Sequence, residues 1–240
     1  MDGRSRAYRD VLVACLEKHS PTFLLELIHI MYTTKNWPQT GRSAYHGRPL
    51  IALRNAVLNP TTTYHADDLI ALFDQQFATS LNTRLVRGEH EPIYLPADDD
   101  IPYHRIVFAH GFFTSALHEV AHWCVAGPQR RLQVDFGYWY APDGRSREQQ
   151  QVFEQLEIKP QALEWIFNVA VGHRFRVSTD NLSGDGSFDP EGFKCNVRQE
   201  VLRRLRDGLP ERARQFADAL IAHYRPGLRL APELFALSDL

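Results

Sequence analysis

One helix constrains the rest of this chain. The stretch His110-Gly-Phe-Phe-Thr-Ser-Ala-Leu-His118-Glu119-Val-Ala-His122-Trp-Cys-Val-Ala-Gly127-Pro128 reads as a helix over residues 111–126. Gly127 suits a left-handed closing residue, and Pro128 cannot continue a helix. At about 100° per residue its apolar side chains cover most of the circumference, so it belongs in a core. One narrow stripe is the exception: Gly111, Ser115, His118, Glu119 and His122. His118 and His122 are four residues apart and can reach one point, and two imidazoles inside a protein need a partner. A divalent metal is the partner that this HExxH spacing fits. The competing reading is a pair of core histidines bonded to carbonyls or carboxylates.

The third ligand is less determined. Residues 148–172 read as helical, with Pro160 kinking the helix or opening a second one. Leu156, Leu163, Phe167 and Ala170 are the expected buried face, and Glu154, Glu157 and Glu164 compete for the metal. Glu154 falls furthest from that face. Glu157 and Glu164 lie at its edge, and Glu157 adjoins the proline, where the chain is most easily aimed; Glu157 is the choice and the other two stay open. His110 is a reserve ligand, and His104 reads as ordinary. Glu119, about 100° round the helix from His118, is better placed beside a metal than on it and reads as the catalytic proton-handling group.

The 240 residues can hold one large domain. The expected fold is α+β: a compact domain over 63–240, with the buried metal helix packed on a small sheet, plus an extension over 1–62. Helices are expected over 65–78, 190–207 and 210–224, and strands over 82–87, 92–95, 105–109 and 174–179. Residues 134–140, dense in aromatics, read as a strand or pocket wall. In the sharper reading Asp135, Tyr138 or Asp143 meets substrate there. Asp98-Asp99-Asp100 between two prolines reads as an exposed acidic loop. Arg198, Arg203, Arg204 and Arg206 read as a solvated face, with docking of an acidic partner as the sharper alternative. A stretch rich in Gly, Pro, Asn and Thr closes the first 62 residues. Because the only methionines are Met1 and Met31, a natural start near Val57 or Leu58 is expected; the intact mass of the native protein checks it.

A formal net charge of −2 implies no polyanion partner. Cys15, Cys124 and Cys195 are scattered and include no CxxC, which suggests a reducing compartment. No apolar run is long enough to span a membrane, and no secretory signal opens the chain, so a cytoplasmic protein is expected. Two histidines and a carboxylate serve either zinc hydrolysis, as in HExxH metallopeptidases, or non-haem iron chemistry with dioxygen. Spacing alone does not separate the two. A structural zinc holding two helices together is the non-enzymatic reading.

More specific segments surround the helix. Ala78-Thr-Ser-Leu-Asn-Thr-Arg-Leu-Val-Arg-Gly88, Glu91-Pro-Ile-Tyr-Leu-Pro-Ala97, Arg105-Ile-Val-Phe-Ala-His-Gly-Phe112, His118-Glu-Val-Ala-His-Trp-Cys124, Val134-Asp-Phe-Gly-Tyr-Trp-Tyr140, Pro142-Asp-Gly-Arg145, Glu157-Ile-Lys-Pro-Gln-Ala-Leu163 and Pro210-Glu-Arg run through residues 64–226. Together they resemble the elongation factor P hydroxylase family; residues 1–62 have no counterpart in it. The resemblance implies a compact α+β, cytoplasmic enzyme that hydroxylates the β-lysylated lysine of translation elongation factor P. It implies a two-His-one-carboxylate iron centre falling on His118, His122 and Glu157. Fe(II) and dioxygen would then oxidise a lysine side-chain carbon, with the wall from Asp135 to Asp143 holding the cationic substrate. No electron donor is readable; Arg145 and Lys159 are candidates to anchor a 2-oxoglutarate co-substrate.

Overall fold

The strands and helices form where branched and apolar residues recur at strand and helix spacing. The protein is described as a computed structural model covering residues 63–135, 146–178 and 189–240. The elements are α1 (Ala66–Phe77), β1 (Thr83–Arg87), β2 (Ile93–Leu95), β3 (His104–Phe108), α2 (Phe113–Val125), α3 (Arg147–Val171), α4 (Pro190–Asp207) and α5 (Glu211–Tyr224). The expected extension over 1–62 lies outside the described residues.

The sheet is small, with β3 in the centre, β1 parallel to it and β2 antiparallel on the other side. Asp74 of α1 ties helix to sheet. Its carboxylate accepts from the Leu85 backbone N–H at 3.2 Å and from Arg84 Nη1 at 3.0 Å. α2 packs on β3 and on α3, and α3 in turn packs on α4 and α5. Phe73 and Phe77 of α1 meet Trp123 of α2 at ring-centroid distances of 5.2 and 5.0 Å, and Phe216 of α5 closes on both Phe73 and Phe167. The core is therefore continuous from α1 through α2 to α3 and α5, and the metal helix lies inside it.

Four local expectations are corrected. α2 begins at Phe113, because Ala109–Gly111 forms a 3-10 turn in which His110 takes φ 51° and Gly111 φ 69°. Ser115 Oγ accepts from the Ala109 N–H at 3.0 Å and fixes that turn against the helix. Gly127 is not the left-handed closing residue; Ala126 ends α2 in an extended conformation, and arginine side chains take its last carbonyls. Of the two readings of Pro160, the second helix is overturned, since α3 runs from Arg147 to Val171 with the proline inside it. Leu156 is 46% exposed rather than on the buried face, since the buried stripe of α3 passes through Phe153, Glu157 and Gln161 one position round.

Residues 174–178 form no strand. Their pairing comes instead from a side chain: Gln161 Nε2 donates to the Ser178 carbonyl at 2.7 Å, and its Oε1 accepts from the Ser178 N–H at 3.0 Å. The acidic loop is a turn, with Asp98 Oδ1 accepting from the Asp100 and Ile101 N–H groups and its other oxygen paired with Arg105. On α4, Arg203 and Arg204 both bind Glu200, Arg206 binds Asp207, and Arg198 donates to Phe235 O, so these arginines serve pairs and a carbonyl within the domain.

Candidate metal centre

Two polar stripes on otherwise buried helices face each other. α2 contributes His118, Glu119 and His122. α3 contributes Glu157, Gln161, Glu164 and Asn168, at helical spacings of three and four. Glu157, Gln161 and Asn168 are 3%, 1% and 1% exposed, so this second stripe is set more deeply than the first, whose His118, Glu119 and His122 are half-buried. α3 presents it rigidly. A capping box between Ser146 and Gln149 opens the helix, and Gly172, at φ 81°, closes it with the left-handed residue that C-caps favour.

The ring nitrogens converge. His118 Nε2 and His122 Nε2 are 3.0 Å apart, and Glu157 lies 3.2 Å from His122 Nε2 and 3.8 Å from His118 Nε2. One donor atom from each of His118, His122 and Glu157 lies within 4.8 Å of the others. Glu157 is steadied by Gln161 Nε2 at 3.3 Å. Glu164 does something different. Its carboxylate meets His118 Nδ1 at 2.8 Å, a contact that would keep a proton on Nδ1 and leave Nε2 as the lone pair for a metal. Carboxylates behind metal-binding histidines do this generally. Glu154 takes no part in the convergence.

The charges fit a cation. Three carboxylates, Glu119, Glu157 and Glu164, surround two imidazoles in a largely buried space, where unneutralised charge is expensive. Burial alone would depress the His118 imidazolium, yet the Glu164, Glu157 and Glu119 carboxylates overcome it and push its pKa up to about 10. Burial would likewise raise Glu157, but the His122 and His118 rings and the Gln161 amide hold it down at about 2. Glu119 is raised, chiefly by burial and against the pull of the two imidazoles. A divalent metal on the three converging atoms would balance the same negative charge without protonating the rings. The donor set of two imidazoles and one carboxylate suits Zn or Fe(II) and leaves coordination positions open.

A cleft of about 210 Å³ opens beside these residues, lined by Glu119 and His122 together with Tyr94, Val125, Leu156 and Pro160. Asp135 lies in its wall and is 8% exposed, but its carboxylate is bound by Arg130 and its backbone forms a bridge with Tyr94. Tyr138, Asp143 and Arg145 lie outside the described residues. Lys159 is exposed. His110 stays out of the convergence, its ring against Phe112, and His104 Nδ1 accepts from the Ala97 N–H. The orienting role of Glu164 was not read from sequence, although its signal was there: a polar residue two helical turns after Glu157 on a stripe shared with Gln161 and Asn168.

A family model described as elongation factor P hydroxylase matches residues 72–235, well over half of the chain. The chain belongs to the elongation factor P hydroxylase family. Within it, the elongation factor P lysine hydroxylase of Haemophilus influenzae is 54% identical over 158 residues, covering 66% of this chain and 88% of that protein. The matched region contains both polar stripes and the cleft. Neither match favours a zinc peptidase. Among the described residues no helix is long and apolar enough to cross a membrane.

Proposed function

We propose that this chain hydroxylates a lysine side chain of elongation factor P, with the β-lysylated form as substrate and Fe(II) held by His118, His122 and Glu157. The observation that carries the reading is the convergence of those three donor atoms at the end of a cleft, in a chain of this family. When bound, the metal supplies activation of dioxygen at its open positions. The protein's own groups then have distinct tasks. Glu164 holds the His118 ring in the tautomer that presents Nε2. Glu119, on the cleft side of the same helix, holds or passes a proton at its carboxylate. The apolar wall of Tyr94, Val125, Leu156 and Pro160 suits the methylene stem of an extended lysine, while the acidic Glu119 suits its charged end. Asp135 belongs to the substrate wall in this reading, with Tyr138 and Asp143 completing it. The setting is the cytoplasm, the partner is elongation factor P itself, and no nucleic acid or membrane takes part.

The test begins with anaerobic purification and metal analysis, followed by reloading with Fe(II) or Zn(II) in parallel. Fe(II) should restore turnover where Zn(II) does not. His118→Ala and His122→Ala should each lose metal and turnover with the circular dichroism spectrum unchanged. Full metal stoichiometry in both variants would remove the site from the account.

A further inference from the structure

A second cluster remains at the C-terminal end of α2 once the metal centre is accounted for. Arg131 Nη1 and Arg212 Nη2 donate to the same oxygen, the Ala126 carbonyl, at 2.6 and 2.7 Å; Arg212 Nη2 also reaches the Cys124 carbonyl at 3.2 Å. The Arg212 guanidinium lies over the Trp123 ring, 4.5 Å from its centroid. Two cations thus sit side by side in a partly buried place. Burial, and then Arg131, hold the Arg212 pKa below the usual guanidinium range. Capping a helix C-terminus accounts for only part of this, because the helix end carries about half a negative charge against two positive ones.

No group on hand balances the remainder. Among the described residues no carboxylate pairs with Arg131 or Arg212, and Asp135 is taken by Arg130. Burial raises the Tyr94 phenol, whose O–H donates to the Arg131 carbonyl. Arg212 Nη1 is buried with no hydrogen-bond partner, a donor that natural interiors rarely leave unused. Arg131 meanwhile lines the same cleft as His122 and Glu119. From His122 to Ala126 is one helical step of four residues, about 6 Å along the axis.

We infer that Arg131, backed by Arg212, forms an anion subsite at the far end of this cleft and takes the carboxylate of a small organic acid lying between the guanidinium and His122. A carboxylate matches the planar guanidinium fork with two parallel N–H bonds. A separation of one helical step suits a short acid. The subsite does not depend on the hydroxylase reading, because binding alone reports it.

The experiment is calorimetric titration of the full chain, stripped of metal and dialysed free of chelator, with succinate, with 2-oxoglutarate and with inorganic phosphate. Either acid should bind, more weakly as salt rises, and Arg131→Met should weaken that binding by roughly 10-fold or more, the loss expected for a charged hydrogen-bonding partner. Arg212→Lys, which keeps the charge but loses the fork, should weaken it as well. If Arg212→Lys does not fold, Arg131→Met decides alone, since Arg131 lies in a short 3-10 turn and outside the buried core. Absence of binding by either acid, or unchanged affinity in Arg131→Met, overturns the subsite; phosphate binding more tightly than both acids overturns its assignment to carboxylates. Failure to hydroxylate elongation factor P with acid binding intact would count against the proposed activity and not against the subsite.

Discussion

At the scale of single residues, three glutamates around one centre are placed in three different ways. Glu157 points its carboxylate at both ring nitrogens, Glu164 holds the outer nitrogen of His118, and Glu119 faces the cleft. Glu157→Ala should therefore abolish tight metal binding. Glu164→Gln should weaken it by about 10–100-fold, as loss of an orienting partner does, and Glu154→Ala should leave it unchanged; iron titration under nitrogen ranks the three. The metal-free protein should also carry a pH signature. A His118 held at about 10 against an ordinary 6.5 contributes stability that is complete below pH 6.5 and lost as pH rises through about 10. Glu157, held at about 2 against 4.5, contributes stability present above pH 4.5 and lost as pH falls through about 2. Thermal melts of stripped protein should thus decline on the alkaline side. Metal affinity should rise over the same range, because binding displaces ring protons. An alkaline increase in the stripped protein's Tm would contradict the charge arrangement. Of this centre, the two histidines were legible from spacing alone, because i,i+4 places both on one stripe. The choice between Glu157 and Glu164 was less so, because both lie on the same face of α3 and only the direction of approach to His118 separates the carboxylate that joins the convergence from the one behind it.

At the scale of elements, α2 and α3 position the centre, and their ends are where sequence reading slipped. Gly127 looked like a helix terminator, but the carbonyls it would have served are taken by Arg131, from the turn just after the helix, and by Arg212, which is distant in the chain and leaves no local pattern. Pro160 read as a kink or as the start of a second helix, and the second of these fails because α3 is continuous through it, with tertiary contacts outweighing a local preference. Residues 174–178 looked like a strand because they alternate, and the side chain of Gln161 supplies the backbone partners that a neighbouring strand would have given. By contrast, α4 and α5 were readable to within a residue, since their amphipathic periods are opened by Pro190 and Pro210. The true end of α3 gives a direct test. Gly172 sits at φ 81°, and a Cβ there would meet Arg225 Cδ at 3.3 Å. Gly172→Ala should cost about 1–2 kcal/mol in urea unfolding through the left-handed backbone alone, with iron affinity preserved because Glu157 and Glu164 lie two turns or more upstream on α3 and the two histidines lie on α2. A loss of affinity without a loss of stability would mean that this end of the helix is coupled to the site in some other way.

At the scale of the whole molecule, the α+β organisation followed from one buried helix that needed partners on every side: the sheet, α3 and the α1–α5 pair supply them. His118, His122, Glu157 and Glu164 all lie among the described residues of the compact domain. A chain beginning at residue 63 should bind iron as the full chain does; weaker binding would give the extension a role in the centre. The central claim is that the two-imidazole, one-carboxylate convergence serves lysine hydroxylation in elongation factor P. The most direct test is the intact mass of lysylated elongation factor P after incubation with the Fe(II)-loaded chain in air, set beside His122→Ala treated identically. The account predicts the addition of one oxygen atom, located on a lysine side chain by fragmentation, with none in the variant. An unchanged mass with the iron-loaded protein, or cleavage of the factor into peptides, would contradict it.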